Sequence, residues 1–159
     1  MNSIKIKFAV YCLVLFCIVL VPTTSPVFYD KNCNDNITYF FYTNKIDYDI
    51  ENANLISNGN ATIVACDYKC NRAIKKMLPE VYGESIRITN YSSDTLKYIL
   101  NKYTNSIVQT ENMDKYNFIY CYDETLPKYV TLNNEKVNIQ IAINNSEINI
   151  GYPLILNGY

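Results

Sequence analysis

The carboxy-terminal third of the chain alternates apolar and polar residues with a period of two, which a β-sheet accommodates and a helix does not. From Lys136 it reads KVNIQIAINNSEINIGYPLILNGY. The apolar positions of this alternation are Val137, Ile139, Ile141, Ile143, Ile148 and Ile150. Residues 144–146, Asn-Asn-Ser, supply turn chemistry between the two apolar runs. The pattern therefore predicts a β-hairpin that begins with one strand from Val137 to Ile143.

The residues before this hairpin predict further strands and two helices. A third strand, with Phe118, Tyr120 and Tyr122 on one side, precedes the hairpin. Other predicted strands cover residues 37–43, 62–66, 85–89 and 106–110, whereas residues 44–60 predict a loop or an irregular strand. One helix follows Asp67 as N-cap and another follows Ser92, Ser93 and Asp94. We predict an α+β fold, a mainly antiparallel sheet with two helices packed on one face.

The amino terminus has the pattern of a targeting segment. Lys5 and Lys7 precede an apolar run over residues 8–21, which small polar residues follow. We predict a signal peptide or uncleaved membrane anchor over residues 1–25, a linker over 26–36 and a single domain over 37–159. The protein is then extracytoplasmic, either secreted or anchored by residues 8–21, and it touches the membrane through this segment only.

Composition excludes several classes of function. The 159 residues carry a formal net charge of −1, which disfavours nucleic acid as a partner. The chain has no histidine, so the usual general base and the commonest metal ligand are missing. No glycine-rich phosphate loop and no nucleophile turn occurs in the sequence. We predict no catalytic, cofactor-binding or metal-ligating residues and no cofactor.

Four cysteines lie outside the leader, at Cys33, Cys66, Cys70 and Cys121. An even number of cysteines in an exported protein predicts disulfide bonds, with three possible connectivities. Inert buried thiols are a second interpretation. Metal or redox chemistry is a third, and it fits poorly because the spacing lacks paired CxxC motifs.

Asparagine-linked glycosylation motifs occur at Asn36, Asn60, Asn90 and Asn144. They predict surface glycans if the protein comes from a eukaryote or a virus. In a chain so rich in asparagine, roughly two or three such motifs arise by chance.

Two further residue classes offer candidate sites. The acidic residues are Asp114, Asp123, Glu124, Glu135 and Glu147, of which Asp123 and Glu124 are the candidate catalytic pair. The alternative for all five is a solvated position in a turn or at a strand end. The abundant tyrosines predict either a binding surface or half-buried strand residues.

The carboxy-terminal residues, LPKYV followed by EKVNIQIAINNSEINIGYPLILNGY, resemble the endings of YwmB-like proteins of Gram-positive bacteria. The GESIRI strand and the helix that contains Leu96 and Leu100 are similar in placement to the same family, so the resemblance spans most of residues 37–159. It implies an exported or membrane-anchored protein with an α+β fold likened to the TATA-box-binding-protein fold. It implies no established activity and supplies no catalytic residues.

Three functions follow from these observations. The first is a non-enzymatic exported or membrane-anchored cell-envelope protein that binds a partner protein or wall component through its sheet or its tyrosine-rich strands, for example at Tyr122. The second is a secreted, glycosylated host-interaction protein of a virus or parasite. The third is an envelope hydrolase that uses Asp123 and Glu124 as a carboxylate pair.

Overall fold

The computed structural model describes residues 36–156, except the side chain of Asn58, and this part of the chain forms ten strands, two α-helices and one 3-10 turn. The first half contains β1 (Asn36–Asn44), β2 (Ala53–Asn58), β3 (Ala61–Asp67), α1 (Asn71–Met77), β4 (Gly83–Thr89) and α2 (Ser93–Tyr103). The second half contains the 3-10 turn (Thr104–Ser106), β5 (Ile107–Met113), β6 (Tyr116–Cys121), β7 (Val130–Leu132), β8 (Glu135–Val137), β9 (Ile139–Ile143) and β10 (Glu147–Tyr152).

Eight of these strands form one sheet, in the order β2-β3-β1-β4-β10-β9-β6-β5, and every pairing in it is antiparallel. Strands β7 and β8 form a separate two-stranded ribbon. The predicted α+β class with a mainly antiparallel sheet is confirmed. Strands β1 and β10 come from opposite ends of the described residues, and both pair with β4 at the centre of the sheet.

The main hydrophobic core is built on the isoleucines of the central strands. Ile86 and Ile88 of β4 and Ile148 of β10 are at most 1% exposed. Burying an isoleucine side chain contributes about 1.5–3 kcal/mol relative to leaving it in water. The same core cluster contains residues of both helices, namely Ile74 and Leu78 from the α1 region and Ile99 and Tyr103 from α2. Packing against this cluster therefore stabilises both helices, which are too short to be stable in isolation.

The two helices begin in different ways. Asp67 accepts hydrogen bonds at Oδ1 from the backbone N–H groups of Lys69 at 2.9 Å and Cys70 at 3.1 Å. These hydrogen bonds form a turn before α1. The N-cap of α1 is Cys70, so the predicted cap, Asp67, lies three residues too early. The side chain of Ser92 accepts from the backbone N–H of Thr95 at 3.1 Å, as a helix N-cap does. The prediction that α2 begins there is confirmed.

The predicted single strand from Val137 to Ile143 is interrupted at Asn138. Val137 pairs with Val130 in the ribbon and packs in a second core cluster with Phe118 and Tyr120, whereas Ile139 lies in the main cluster. An alternating pattern does not show this break, because a polar residue at position 138 fits a continuous strand equally well. The prediction therefore did not separate β8 from β9, and it did not include β7.

After β10 the chain turns back across the sheet. The backbone N–H of Ile155 donates to Oε1 of Gln140 at 3.0 Å, and that of Leu156 donates to the hydroxyl of Tyr42 at 3.3 Å. A Cβ added at Gly151 would lie 2.4 Å from the backbone nitrogen of Ile155. The returning segment therefore requires glycine at position 151.

The disulfide prediction is wrong for the cysteines that the structure describes. Cys66, Cys70 and Cys121 are all free, and Cys33 lies outside the described residues. Cys66 lies on β3 and Cys121 on β6, five strand positions apart, which corresponds to about 24 Å at 4.8 Å per strand. A disulfide needs Cα atoms within about 7 Å. Because none of the described cysteines is in a disulfide bond, the structure gives the predicted secretion no support.

The predicted leader and linker, up to residue 35, also lie outside the described residues. This includes the apolar segment 8–21 on which the membrane prediction depends. Within residues 36–156, neither helix has the length and hydrophobicity that a membrane crossing requires.

Candidate binding site

A cleft of about 380 Å³ opens where the end of α2 meets the chain that leaves β6. This volume falls in the range of small-ligand pockets. We call it the Tyr122 cleft, and its lining residues are Lys102, Tyr103, Asn105, Ser106, Tyr122, Asp123 and Glu124. The sequence predictions named Tyr122, Asp123 and Glu124 separately, and the structure brings all three to one surface.

Short hydrogen bonds fix the α2 side of the Tyr122 cleft. The hydroxyl of Thr104 donates to the backbone carbonyl of Leu100 at 2.7 Å, and the hydroxyl of Ser106 donates to the backbone carbonyl of Tyr103 at 2.9 Å. The backbone N–H of Tyr122 donates to the carbonyl of Ser106 at 2.8 Å and joins the two walls. The polar residues Thr, Asn and Ser at 104–106 end the helix because their side chains compete for backbone groups.

Asn138 holds the other wall of the cleft. Its side-chain Nδ2 donates to the carbonyl of Asp123 at 2.7 Å, and its Oδ1 accepts from the N–H of Asp123 at 2.8 Å. Asn138 is fully buried, and its own N–H donates to the carbonyl of Cys121 at 3.0 Å. A buried amide with this many partners anchors the backbone at Asp123 firmly.

The carboxylate of Asp123 has a structural role in the cleft wall. Its Oδ1 accepts from the backbone N–H of Thr125 at 2.9 Å and from the Thr125 hydroxyl at 2.6 Å. This is an Asx turn, which fixes the loop after β6. Glu124 is exposed beside it. The two carboxylates thus share a surface, but one of them is committed to the turn.

Two tyrosines and a lysine form an aromatic surface next to the cleft. The rings of Tyr122 and Tyr129 meet edge to face, with centroids 6.4 Å apart and an interplanar angle of 88°. The Nζ atom of Lys136 lies 4.6 Å from the Tyr129 centroid and 5.9 Å from that of Tyr122. Tyr129 is 48% exposed. A cation over an aromatic ring at an exposed site contributes about 0.5–1 kcal/mol, so Lys136 adds a modest attraction to this surface.

Lys102 supplies the positive charge inside the cleft. Its Nζ lies 5.0 Å from the ring centroid of Tyr103. Partial burial lowers the pKa of Lys102, and the charge of Asp123 acts in the opposite direction. Burial raises the pKa of the Tyr103 hydroxyl, which therefore stays neutral across the physiological range. The cleft thus combines one cation, one exposed carboxylate and neutral hydroxyl groups.

A second group of polar side chains, Arg87, Glu147, Asn149 and Tyr116, lies across three strands of the sheet, and we call it the inner polar cluster. Nε of Arg87 donates to Oδ1 of Asn149 at 3.0 Å and lies 3.5 Å from Oε2 of Glu147. The hydroxyl of Tyr116 donates to Oε1 of Glu147 at 2.5 Å. The Arg87 guanidinium also lies 5.3 Å from the ring centroid of Phe40. Arg87 and Tyr116 thus bond to side-chain oxygens of Glu147 and Asn149.

Burial distinguishes the inner polar cluster from the Tyr122 cleft. The side chains of Arg87 and Glu147 are 29% and 16% exposed, and Asn149 is fully buried. Burial, together with the hydrogen bond to Glu147, raises the pKa of Tyr116. The Nδ2 atom of Asn149 has no hydrogen-bond partner among the described residues. We therefore interpret this cluster as a structural feature of the sheet.

The other predicted carboxylates lie apart from the Tyr122 cleft. Glu147 belongs to the inner polar cluster. Asp114 has a positive φ of 51° in the turn between β5 and β6, and Glu135 is the exposed first residue of β8. No predicted catalytic pair is formed by these three residues within the described part of the chain.

Two of the three described thiols, Cys66 and Cys121, are buried, whereas Cys70 is half-buried. Burial raises the pKa of Cys66 to about 12 and that of Cys121 to about 11. A thiol with such a pKa is protonated at neutral pH and is a poor nucleophile and metal ligand. Within residues 36–156, no group of three or more acidic or thiol side chains is arranged to hold a metal ion.

The predicted glycosylation positions are spread over the surface. Asn36, Asn60 and Asn90 are exposed, and Asn144 is half-buried. Oδ1 of Asn144 accepts hydrogen bonds from the N–H and hydroxyl of Ser146 and from the N–H of Glu147, which fixes the β9–β10 turn. Glycosylation stays a prediction at all four positions.

Sequence reasoning missed Lys102, Tyr129, Lys136 and Asn138 as parts of the site. They come from α2, from the loop before β7, from β8 and from the break between β8 and β9. No local spacing connects them, because only the strand order brings these segments together.

Comparison with known proteins returned no matching family model, no matching curated protein and no matching solved structure. The resemblance to YwmB-like proteins therefore stays a prediction.

Proposed function

We propose that this protein is a non-enzymatic cell-envelope protein that binds a partner protein or a wall component through the Tyr122 cleft. Residues 8–21 tether it to the membrane in this proposal, and the described domain lies on the extracytoplasmic side. No cofactor takes part.

The observation that carries the proposal is the aromatic pair of half-buried Tyr122 and exposed Tyr129 at the rim of a hydrogen-bonding cleft. Tyrosine offers a large contact area and a hydroxyl at a small cost in side-chain entropy. Glu124 and Asn105 are exposed at the same site and are free to accept or donate hydrogen bonds to a ligand. An aromatic surface bordered by carboxylate and amide groups suits a sugar ring, whose faces are apolar and whose rim carries hydroxyl groups.

The role of the Asp123 carboxylate in the cleft wall favours binding over catalysis. The Asp123 carboxylate caps a turn through two hydrogen bonds, and general acid–base chemistry would require it to exchange a proton while keeping that turn. The cleft is also open, whereas a tuned carboxylate needs a desolvated setting.

We further infer that both helices cover one face of the sheet. Support comes from the main cluster, which joins Ile74 and Ile99 of the two helices to Ile86 and Ile141 of the strands. The ribbon residue Val137 and the tail residue Ile155 pack in a different cluster, with Phe118 and Tyr120. In this arrangement the Tyr122 cleft lies where the helix layer ends.

A pelleting assay with purified, insoluble cell-wall sacculi tests the proposal, using the full-length chain in detergent micelles. We expect Tyr122→Asp to weaken binding at least tenfold, because a charge on the ring's position removes the apolar contact. Tyr48→Asp is the matched control, since Tyr48 is 49% exposed and lies outside the cleft lining. Equal binding by the two variants would contradict the proposal. If the wild-type chain does not pellet, a wall component is excluded as the ligand and a partner protein remains.

A further inference from the structure

The two outer strands of the sheet, β2 and β5, differ in their protection against further pairing. The register of β5 shifts between Ile107 and Gln109, and β5 carries Glu111. Strand β2 pairs with β3 at every residue from Ala53 to Asn58 without a shift. Its sequence, ANLISN, contains no charged residue and no proline. Bulges, charges and prolines are the usual means by which edge strands avoid pairing, and β2 has none of them.

The side chains of β2 also leave apolar surface at this edge. Leu55 packs against the main core cluster and anchors the strand. Its neighbour Ile56 points to the opposite face of the sheet and is 52% exposed. An uncharged strand with an exposed isoleucine favours contact with another apolar strand.

The turn after β2 determines which backbone groups point outwards. Gly59 and Asn60 form a two-residue loop, and the φ of 60° at Gly59 is that of a type II′ turn. The residues that close such a hairpin, Asn58 and Ala61, form a hydrogen-bonded pair, and the pairs then alternate along the ladder. Leu55 and Ser57 therefore direct their N–H and C=O groups away from β3.

We propose that β2 pairs with β2 of a second copy of this chain, antiparallel and about a two-fold axis. Leu55 of each copy lies opposite Ser57 of the other, so that the outward groups of these residues form two hydrogen-bonded pairs. Ile56 then meets Ile56 of the partner subunit on the axis, as a pair without backbone hydrogen bonds. In such a pair the Cα atoms are about 4.5 Å apart and the side chains are in close contact.

Charge does not oppose this pairing. The nearest charged residue in the sequence is Glu51, two residues before β2. In the proposed register the Ala53 residues of the two copies are six strand positions apart, about 20 Å. Each Glu51 lies beyond the end of its own β2, so the two carboxylates are separated by more than a Debye length and repel each other little.

The two-fold axis limits the assembly to a dimer, because the same edge is used by both copies. The bulge in β5 opposes growth at the other edge of the sheet. Two six-residue strands bury less area than the roughly 1,600 Å² of a standard interface, so we expect a reversible dimer that forms at high protein concentration.

Sedimentation of the full-length chain in detergent micelles tests the dimer. We expect Ile56→Lys to raise the dimer dissociation constant at least tenfold, because two lysines would meet on the axis. The control is Thr110→Lys, at an exposed position of the other edge strand β5. A chain that stays monomeric at hundreds of micromolar overturns the proposal and leaves a strand of another protein as the occupant. A dimer that Ile56→Lys leaves intact overturns it too.

Cross-linking tests the register. In a background where cysteines 12, 17, 33 and 70 are replaced by serine, which leaves only the buried Cys66 and Cys121, Ile56→Cys should form a disulfide-linked dimer under mild oxidation, because the Cα separation fits a disulfide. Asn54→Cys is the matched control, since its two copies would be about 14 Å apart. Equal cross-linking of both variants, or of neither, contradicts the proposed register.

Discussion

The inner polar cluster and the Tyr122 cleft contain the same kinds of side chain in opposite settings. Each combines a cation, a carboxylate, an amide and a tyrosine: Arg87, Glu147, Asn149 and Tyr116 in the first, and Lys102, Glu124, Asn105 and Tyr122 in the second. In the cluster these groups lie on β4, β10 and β6 within the sheet, and side-chain hydrogen bonds or ion pairs connect them. In the cleft they lie at the ends of elements, where Glu124 and Asn105 are exposed to water.

The difference shows how one set of residue types serves stability in one place and recognition in another. Removing the partner of a partly buried polar group lowers the free energy of unfolding, because the cost of desolvating that group is no longer compensated. Replacing an exposed polar group changes the free energy of unfolding little, because water takes the place of the missing partner. Substitutions in the cluster should therefore change the free energy of unfolding, and substitutions in the cleft should change binding.

The largest effect should come from Asn138, which connects the cleft wall to the core. Replacing Asn138 by alanine removes both hydrogen bonds to the Asp123 backbone and leaves those groups without partners. We expect a loss of about 3 kcal/mol in the free energy of unfolding, measured by urea denaturation. Asn101→Ala, at an exposed position of α2, should change it by less than about 0.5 kcal/mol. Equal losses would mean that Asn138 does not anchor the wall.

The next largest effect distinguishes Glu147 of the inner polar cluster from Glu124 of the Tyr122 cleft. Glu147→Ala leaves Arg87 and Tyr116 without their shared partner, and we expect a loss of roughly 2 kcal/mol, allowing for the partial exposure of both charges. Glu124→Ala should change the free energy of unfolding by less than about 0.5 kcal/mol. Thermal or urea unfolding of the two variants measures the difference, and a reversed order would contradict the assignment of roles.

Replacement of both Asp123 and Glu124 by alanine sharpens the distinction between binding and hydrolysis. Because the proposal assigns neither residue to catalysis, release of soluble fragments from cell-wall sacculi should stay at the background of a no-protein sample for the wild type and the double variant alike. A wild-type activity that the double variant loses would support the hydrolase alternative.

The smallest effect is a dependence on alkaline pH. The raised pKa of Tyr116 in the folded state means that its contribution to stability is complete below the unfolded value near 10 and is lost as pH rises above it. Tyr116→Phe should therefore reduce the loss of stability between pH 9 and pH 11, measured by urea unfolding. If Tyr116→Phe loses as much stability over this pH range as the wild type does, the interpretation of the cluster is contradicted.

The regular elements could be predicted from the sequence because their signals are local. The alternation of Ile148 and Ile150 and the Ser92 cap each operate over a few residues, and the structure has β10 and α2 where they indicate. The break at Asn138 could not be predicted, because it depends on the backbone of Asp123, fifteen residues away in the sequence. The same holds for the cleft, since Lys136 meets Tyr122 and Tyr129 only after the ribbon has folded.

The cysteine prediction shows a different limit. Counting cysteines says nothing about the strand order that separates Cys66 from Cys121. Both cysteines are buried in the main cluster, at positions that an apolar side chain would fill. Their thiols therefore pack as apolar groups and form no disulfide bond.

Hydrogen–deuterium exchange of the full-length chain, with and without solubilised cell-wall fragments, tests the central claim most directly. The account predicts that the fragments slow exchange in residues 102–106 and 122–129 and leave residues 85–89 and 147–152 unchanged. Slower exchange in the strands of the inner polar cluster, without a change around Tyr122, would contradict it.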